Sequence, residues 1–225
     1  MTKLEEVKKG FKDEKLFDQA LTHKSWLNEN KGKRESNERL EFLGDAILEY
    51  IVSDEIYRKF TDQSEGYLTA LRANLVNTKN LSIVAQKLGV GESIYLSHGE
   101  ERGGGRTNPS LLADTIEAII GAIYIDLGIK AAKNFIMENI LENLPEKIQE
   151  PLKDAKSLLQ EKVQSKKLPT PRYRVIEIKG PDHARQFGVE VRVGDKIAAK
   201  GTGKSKAEAQ QMAASIALKE LFPEE

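Results

Sequence analysis

The hydrophobic residues of this chain change their period once, and the change fixes what each part can become. Up to about residue 145 they recur at helical spacing. EKLFDQALTH, NERLEFLGDAILEYIVSDEIYRKF, GYLTALRANLVN, TKNLSIVAQKLG and SLLADTIEAIIGAIYIDLG each keep an apolar stripe, and runs of alternating β-branched residues are missing. The text then turns polar, with two prolines, in LPEKIQEPLKDAK. Beyond it DAKSLLQEKVQSKK is an amphipathic helix and RYRVIEIKG a strand. ARQFGVEVRVGDKIAAKGTG is a hairpin in which Phe187, Val189, Val191 and Val193 alternate before a Gly-Asp turn. SKAEAQQMAASIALKELF closes the chain as a helix with Ser205 as its N-cap. The expected fold is therefore an all-helical domain over residues 1–146, a linker over 147–152, and a small α+β domain of order αβββα over 153–223.

Gly89 and Gly128 stand where helices would stop, and Asn108-Pro109 is a helix start with Asn as N-cap and Pro at the first helical position. The HGEERGGGRT stretch before it is expected to be a mobile connection, a plainer use of its glycines than cradling a phosphate. Cysteine is absent, so there is no disulfide framework and no thiolate metal site. The N-terminus has no apolar signal core and no run approaches the roughly 18 apolar residues of a membrane span. These features predict a soluble cytoplasmic protein without a membrane partner. Formal charge sums to zero but splits by sign: residues 1–151 carry 20 Lys+Arg against 25 Asp+Glu, and residues 152–225 carry 15 against 10. An acidic body with a basic appendage points to one part that handles cations and one that meets a polyanion.

Within NERLEFLGDAILEY the apolar residues Leu40, Leu43, Ile47, Tyr50 and Ile51 share a face, yet Glu38, Glu41 and Asp45 line up beside them at steps of three and four. Like charges so stacked repel, and the cost rises when water is withdrawn. A second pair, Asp114 and Glu117, lies in SLLADTIEAIIGAIYI, where nearly every other residue is apolar. Taken singly, Glu41 and Asp45 read as the wet edge of a helix and Asp114 as a partner of a helix dipole. Taken together, the pairs favour an all-oxygen site for a hard divalent cation, Mg²⁺ or Mn²⁺, over zinc or copper. A di-iron bundle needs Glu-x-x-His pairs, and none of His23, His98 or His183 follows a Glu by three. Gly44 and Gly121 fall inside the two acidic helices, where glycine costs about 1 kcal/mol, so each marks a close approach; a neighbouring helix is the plainer cause.

In the tail, GTGKS at 201–205 is no P-loop: Ala198 stands where the first glycine is needed, and the setting is antiparallel. What remains is a helix N-terminus flanked by Lys200, Lys204 and Lys206, a phosphate site in a module shaped for the minor grooves of A-form RNA. His183, in the GPDHA turn, is placed to reach a 2′-hydroxyl or the backbone.

ERLEFLGDA at 38–46 resembles the signature of the ribonuclease III family, with ALTHKSW at 20–26 and LLADTIEAIIGAIYID at 111–126 similar to its flanking motifs in order. PTPRY, GPDHARQF and GTGKSKAEA resemble the family's double-stranded RNA-binding domain. The resemblance implies a homodimer, joined through the nuclease domain, that hydrolyses double-stranded RNA with Mg²⁺ to 5′-phosphate and 3′-hydroxyl ends with short 3′ overhangs. Precursors of rRNA, mRNA, tRNA and small RNA are the implied substrates. By motif, Glu41, Asp45, Asp114 and Glu117 become metal ligands, with Asp45 and Glu117 catalytic. Glu38 and Glu65 become walls of an acidic valley in the dimer, and Gln160, His183, Lys200, Lys204, Ser205 and Lys206 RNA contacts. The dimer contact is expected on an apolar helix face near Gly44. A relative that binds without cutting would lack one of the four carboxylates, and all four are present. The tail departs from the family in following Lys206 with Ala207 and Glu208 instead of further basic residues, which lowers its expected RNA affinity.

Overall fold

The computed structural model describes residues 3–142, 144, 155–181 and 185–223; the expected linker over 147–152 and His183 lie outside them. The chain separates into two compact units, residues 1–152 and 153–225.

The first unit is helical: α1 (Lys3–Lys9), α2 (Glu14–Ala20), α3 (Lys24–Glu29), α4 (Glu38–Lys59), α5 (Glu65–Val76), α6 (Thr78–Leu88), α7 (Val90–Ser93), α8 (His98–Arg102), α9 (Pro109–Leu127) and α10 (Ile129–Asn139). Its axis is α9. Between Leu112 and Ile123 every residue of that helix is buried except Asp114 and Glu117, which are half-buried. The helix starts as the sequence predicts, with the Asn108 side chain accepting from the Ser110 N–H and Pro109 at the first position. Helix α4 packs along it, burying Leu40, Gly44, Ile47, Leu48, Ile51, Val52 and Ile56. At the crossing no side chains intervene. A Cβ on Gly44 would overlap the carbonyl oxygen of Glu117, and one on Gly121 would overlap the carbonyl oxygen of Leu40. The two interior glycines thus let two backbones touch, which offsets their poor helix propensity.

Two expectations change here. The face of Gly44 is spent on α9 of the same chain, so it is not free for a second copy; the large apolar side chains that α4 exposes are Phe42, Tyr50 and Tyr57. HGEERGGGRT, expected as a mobile loop, is wound into α8 and a 3₁₀ turn at Gly105–Thr107. Arg106 ties it down, donating to the carbonyls of Gly91, Glu92 and Ile94 and to the Glu101 carboxylate. Gly104, at φ 86°, supplies the left-handed step that the turn requires.

The second unit is α11 (Ala155–Ser165), β1 (Arg172–Lys179), β2 (Gln186–Val193), β3 (Lys196–Gly203) and α12 (Lys206–Leu221), an antiparallel sheet in the order β1-β2-β3 with two helices on one face. Val189 and Val191 alternate inward as the sequence predicts and meet Leu159 and Val163 of α11 and four alanines of α12. Small residues bring α12 close: a Cβ on Gly201 would overlap the Ala213 nitrogen. The glycines of GTGKS therefore serve packing.

Candidate active site

The α4–α9 crossing decides which members of the acidic stripe meet. Glu41 lies one turn before Gly44 on α4; Glu117 offers its own carbonyl to Gly44, and Asp114 lies one turn earlier on α9. One carboxylate oxygen from each of Glu41, Asp114 and Glu117 falls within 4.8 Å of the others, and all three residues are half-buried. Desolvation and mutual repulsion oppose their ionisation together. Burial, then the charges of Asp45 and Asp114, push Glu117 up to about 8. Burial raises Glu41 as well, followed by Asp114 and Glu38, and burial raises Asp114. Three half-buried carboxylates that repel one another form a donor set whose repulsion a cation would relieve. All-oxygen ligands at this spacing fit a hard divalent ion, and the trio contains no imidazole or thiolate for a softer one.

Asp45 is exposed and outside the trio, one turn beyond Glu41, yet close enough to be the first charge acting on Glu117. Glu38 lines the same cleft, but at the surface: Lys24 Nζ donates to it at 3.1 Å and Ser36 Oγ at 3.1 Å, and these hydrogen bonds hold it below the ordinary carboxylate range. Glu65 lies elsewhere on the chain. It opens α5, accepts from Thr69 Oγ1 at 2.9 Å, and lines a separate cleft with Tyr50, Tyr57 and Arg72.

Sequence reading missed one wall of the site. A cleft of about 200 Å³ runs from Glu38, Glu41 and Asp114 to His23, Lys24, Asn37 and Leu111. The loop bearing His23 is fastened by backbone bonds: His23 N–H donates to the Tyr95 carbonyl at 3.1 Å, Tyr95 N–H to Leu21 at 2.8 Å, and Asn37 N–H to Thr22 at 2.8 Å. His23 Nδ1 lies 2.8 Å from Ser25 Oγ, and burial lowers its pKa. Nearby, Arg34 stacks over Tyr95 at 4.2 Å and pairs with Asp18 at 2.9 Å, joining the segments on either side of α3. The only signal for this wall in the sequence was the THK of ALTHKSW; nothing in its periodicity places it beside the carboxylates.

In the second unit Lys204, Ser205 and Lys206 are exposed at the start of α12. Ser205 Oγ accepts from the Glu208 N–H at 3.1 Å, while the Glu208 carboxylate accepts from the Lys204 N–H at 2.7 Å. This reciprocal cap occupies two of the backbone donors at the helix start, the N–H groups of Lys204 and Glu208, beside the exposed Lys204 and Lys206 ammonium groups. Gln160 is exposed on α11, beside a hollow shared with Lys156, Ser157, Pro171, Tyr173 and Gln211. Lys200 stands on the sheet face away from α12, because its neighbours Ala199 and Gly201 face the helices.

The helices that carry Glu41, Asp45, Asp114 and Glu117 fall inside a match to the family model described as Ribonuclease-III-like, over residues 13–144. The chain belongs to the ribonuclease III family. The double-stranded RNA binding motif matches residues 155–221. A ribonuclease 3 of Sulfurovum sp. (strain NBC37-1) is 44% identical over 94% of this chain and 93% of its own length. One from Natranaerobius thermophilus is 41% identical, over 93% and 91%. Among solved structures, the nuclease domain of ribonuclease III from Campylobacter jejuni aligns with a TM-score of 0.58 at 44% identity, covering 64% of this chain and 97% of that one. That structure is described as flexible in a region involved in dimer formation. For this ribonuclease III family member the helical unit followed by αβββα agrees with the fold expected from the sequence.

Proposed function

We propose that this ribonuclease III family chain is a Mg²⁺-dependent endoribonuclease that cuts double-stranded RNA to 5′-phosphate and 3′-hydroxyl ends with short 3′ overhangs. The observation that carries the reading is the trio Glu41, Asp114 and Glu117, contributed by two helices whose backbones touch. On this reading residues 1–146 are the nuclease domain, 147–152 the linker and 153–223 the RNA-binding domain. The enzyme works in the cytoplasm on precursors of rRNA, mRNA, tRNA and small RNA.

Glu41, Asp114 and Glu117 hold the ion, with Asp45 beside them, and Mn²⁺ suits the same donors. Bound there, Mg²⁺ supplies activation of a water and stabilisation of charge on the leaving 3′ oxygen. The remaining work falls to the chain. Asp45, exposed beside Glu117, orients the attacking water and accepts its proton. Lys24, at the rim, offers an ammonium to a substrate phosphate and keeps Glu38 from adding an unscreened charge. The protein supplies no covalent nucleophile in this scheme.

Incubation with a perfect RNA duplex, with and without Mg²⁺, and end-group analysis of the products tests the whole reading. Glu117→Gln is expected to lower Mg²⁺-dependent cleavage by at least about 100-fold while duplex binding is retained. Unchanged cleavage in that variant would remove Glu117 from the site.

A further inference from the structure

The helices of the second unit cover one face of its sheet. The alternation that turns Val189, Val191, Ala199 and Gly201 toward them sends the intervening residues to the opposite face. The strand register orders these in rows. Arg174, Glu190 and Lys200 lie side by side across β1, β2 and β3, and Arg172, Arg192 and Ile197 form the next row. Residues 153–225 contain four arginines against eleven lysines, and three of those arginines stand on this face.

The charges there do not balance. Glu190, although on the outer side, is only 6% exposed, and its ion pair runs to Arg192 at 3.1 Å. Glu177 is matched by Lys179 at 2.7 Å. Arg172, Arg174 and Lys200 are exposed and make no ion pair among the described residues. Arg172 and Arg192 are direct cross-strand partners, an arrangement of like charges that weakens a sheet. Glu190 neutralises Arg192 inside the fold, but nothing among the described residues neutralises Arg172 or its neighbours Arg174 and Lys200, and a local rule only partly compensated marks a place where something outside completes it. Planar guanidinium groups on neighbouring strands about 5 Å apart, and in rows roughly 7 Å apart, suit a phosphodiester backbone, whose oxygens each fork can take in pairs.

We infer that the outer sheet face, through Arg172, Arg174, Arg192 and Lys200, is a second phosphate-binding surface that grips a segment of duplex RNA other than the one held at the start of α12. The inference rests on the reading of the chain as a double-stranded RNA enzyme, and it reassigns Lys200 from the α12 end to the sheet. The occupant is nucleic acid and not an acidic protein because the cations are mostly arginine and stand in rows.

The test is binding of a labelled short RNA duplex to the full chain in Mg²⁺-free buffer, over a range of salt, with stoichiometry from sedimentation. Arg172→Ala with Arg174→Ala changes two exposed side chains and spares the core. The unaltered chain is expected to take up a second duplex per chain at low salt. The double variant should weaken that second event by at least about 10-fold and make its log K against log salt slope shallower by roughly 1–2. Lys204→Ala with Lys206→Ala should weaken the first event and leave the second. Superimposable isotherms for the unaltered chain and the arginine variant would overturn the proposal. So would binding of poly-glutamate that depends on Arg172 and Arg174 while RNA binding does not. Absence of any duplex binding by the unaltered chain would instead sink the double-stranded RNA reading beneath it.

Discussion

Glu117 is where burial and charge act in the same direction. Its carboxyl sits in an apolar helix against Asp45, Asp114, Glu41 and Glu49, and its pKa is pushed from an ordinary 4.5 up to about 8. In the folded, ion-free chain it therefore keeps a proton that the unfolded chain releases near 4.5. The stability from this group is fully present below about 4.5 and is lost as pH rises through about 8. Thermal melts in chelator between pH 5 and 8.5 should show stability falling with pH, and Glu117→Gln should flatten most of that slope; Glu41 and Asp114, raised in the same sense, account for the remainder. Divalent-ion affinity should rise over the same interval, since the cation must displace the proton. At this scale the sequence was only partly legible. Two carboxylates in an apolar helix announce a cost, and Asp114 and Glu117 stood out for that reason. Which of Glu38, Glu41 and Asp45 joins them is set by where α9 crosses, and spacing of three and four leaves all three on one stripe.

Among the elements, α4 and α9 set the geometry. Gly44 and Gly121 were legible as points of close approach because interior glycines lower helix stability; that each is the other's partner comes from the packing. Gly44→Ala places a methyl group on the Glu117 carbonyl, a backbone atom that cannot rotate away. It is expected to destabilise the chain by about 3 kcal/mol or more, read as a lowered denaturation midpoint, and to spread the carboxylates. Gly66, whose Cβ would meet nothing, is the matched control: Gly66→Ala should leave the midpoint nearly unchanged. Short helices were harder to read than long ones. α3, α7 and α8 span 6, 4 and 5 residues, too few turns for a period to show. The glycine run after α8 suggested mobility because sequence does not reveal that Arg106 gathers three carbonyls there.

For the whole molecule, the opposite charges of the two halves predict a division of labour. Lys204→Ala with Lys206→Ala should weaken duplex binding at moderate salt and make its salt slope shallower by roughly 1–2, while cleavage at low salt is spared. Equal loss at both salts would contradict the division. The homodimer that the family resemblance implies for the nuclease domain needs a surface other than the face of Gly44, and the exposed Phe42, at 80%, is the apolar side chain of α4 most in need of cover. Sedimentation of the full chain at micromolar concentration should give the dimer, and Phe42→Ala should shift it toward the monomer; a monomer for the unaltered chain would count against the assembly.

The bare contact between the two glycine backbones also bears on how such an enzyme loses activity when heated. The proposed ligands Glu41, Asp114 and Glu117 ride on the two helices that bury the centre of the unit, and no cushion of side chains lies between them where Gly44 meets Gly121. Spreading these carboxylates by moving their backbones means separating α4 from α9, which dismantles the core. Loss of activity on heating is therefore expected to follow the unfolding curve, which a melt and an activity assay on the same sample would check.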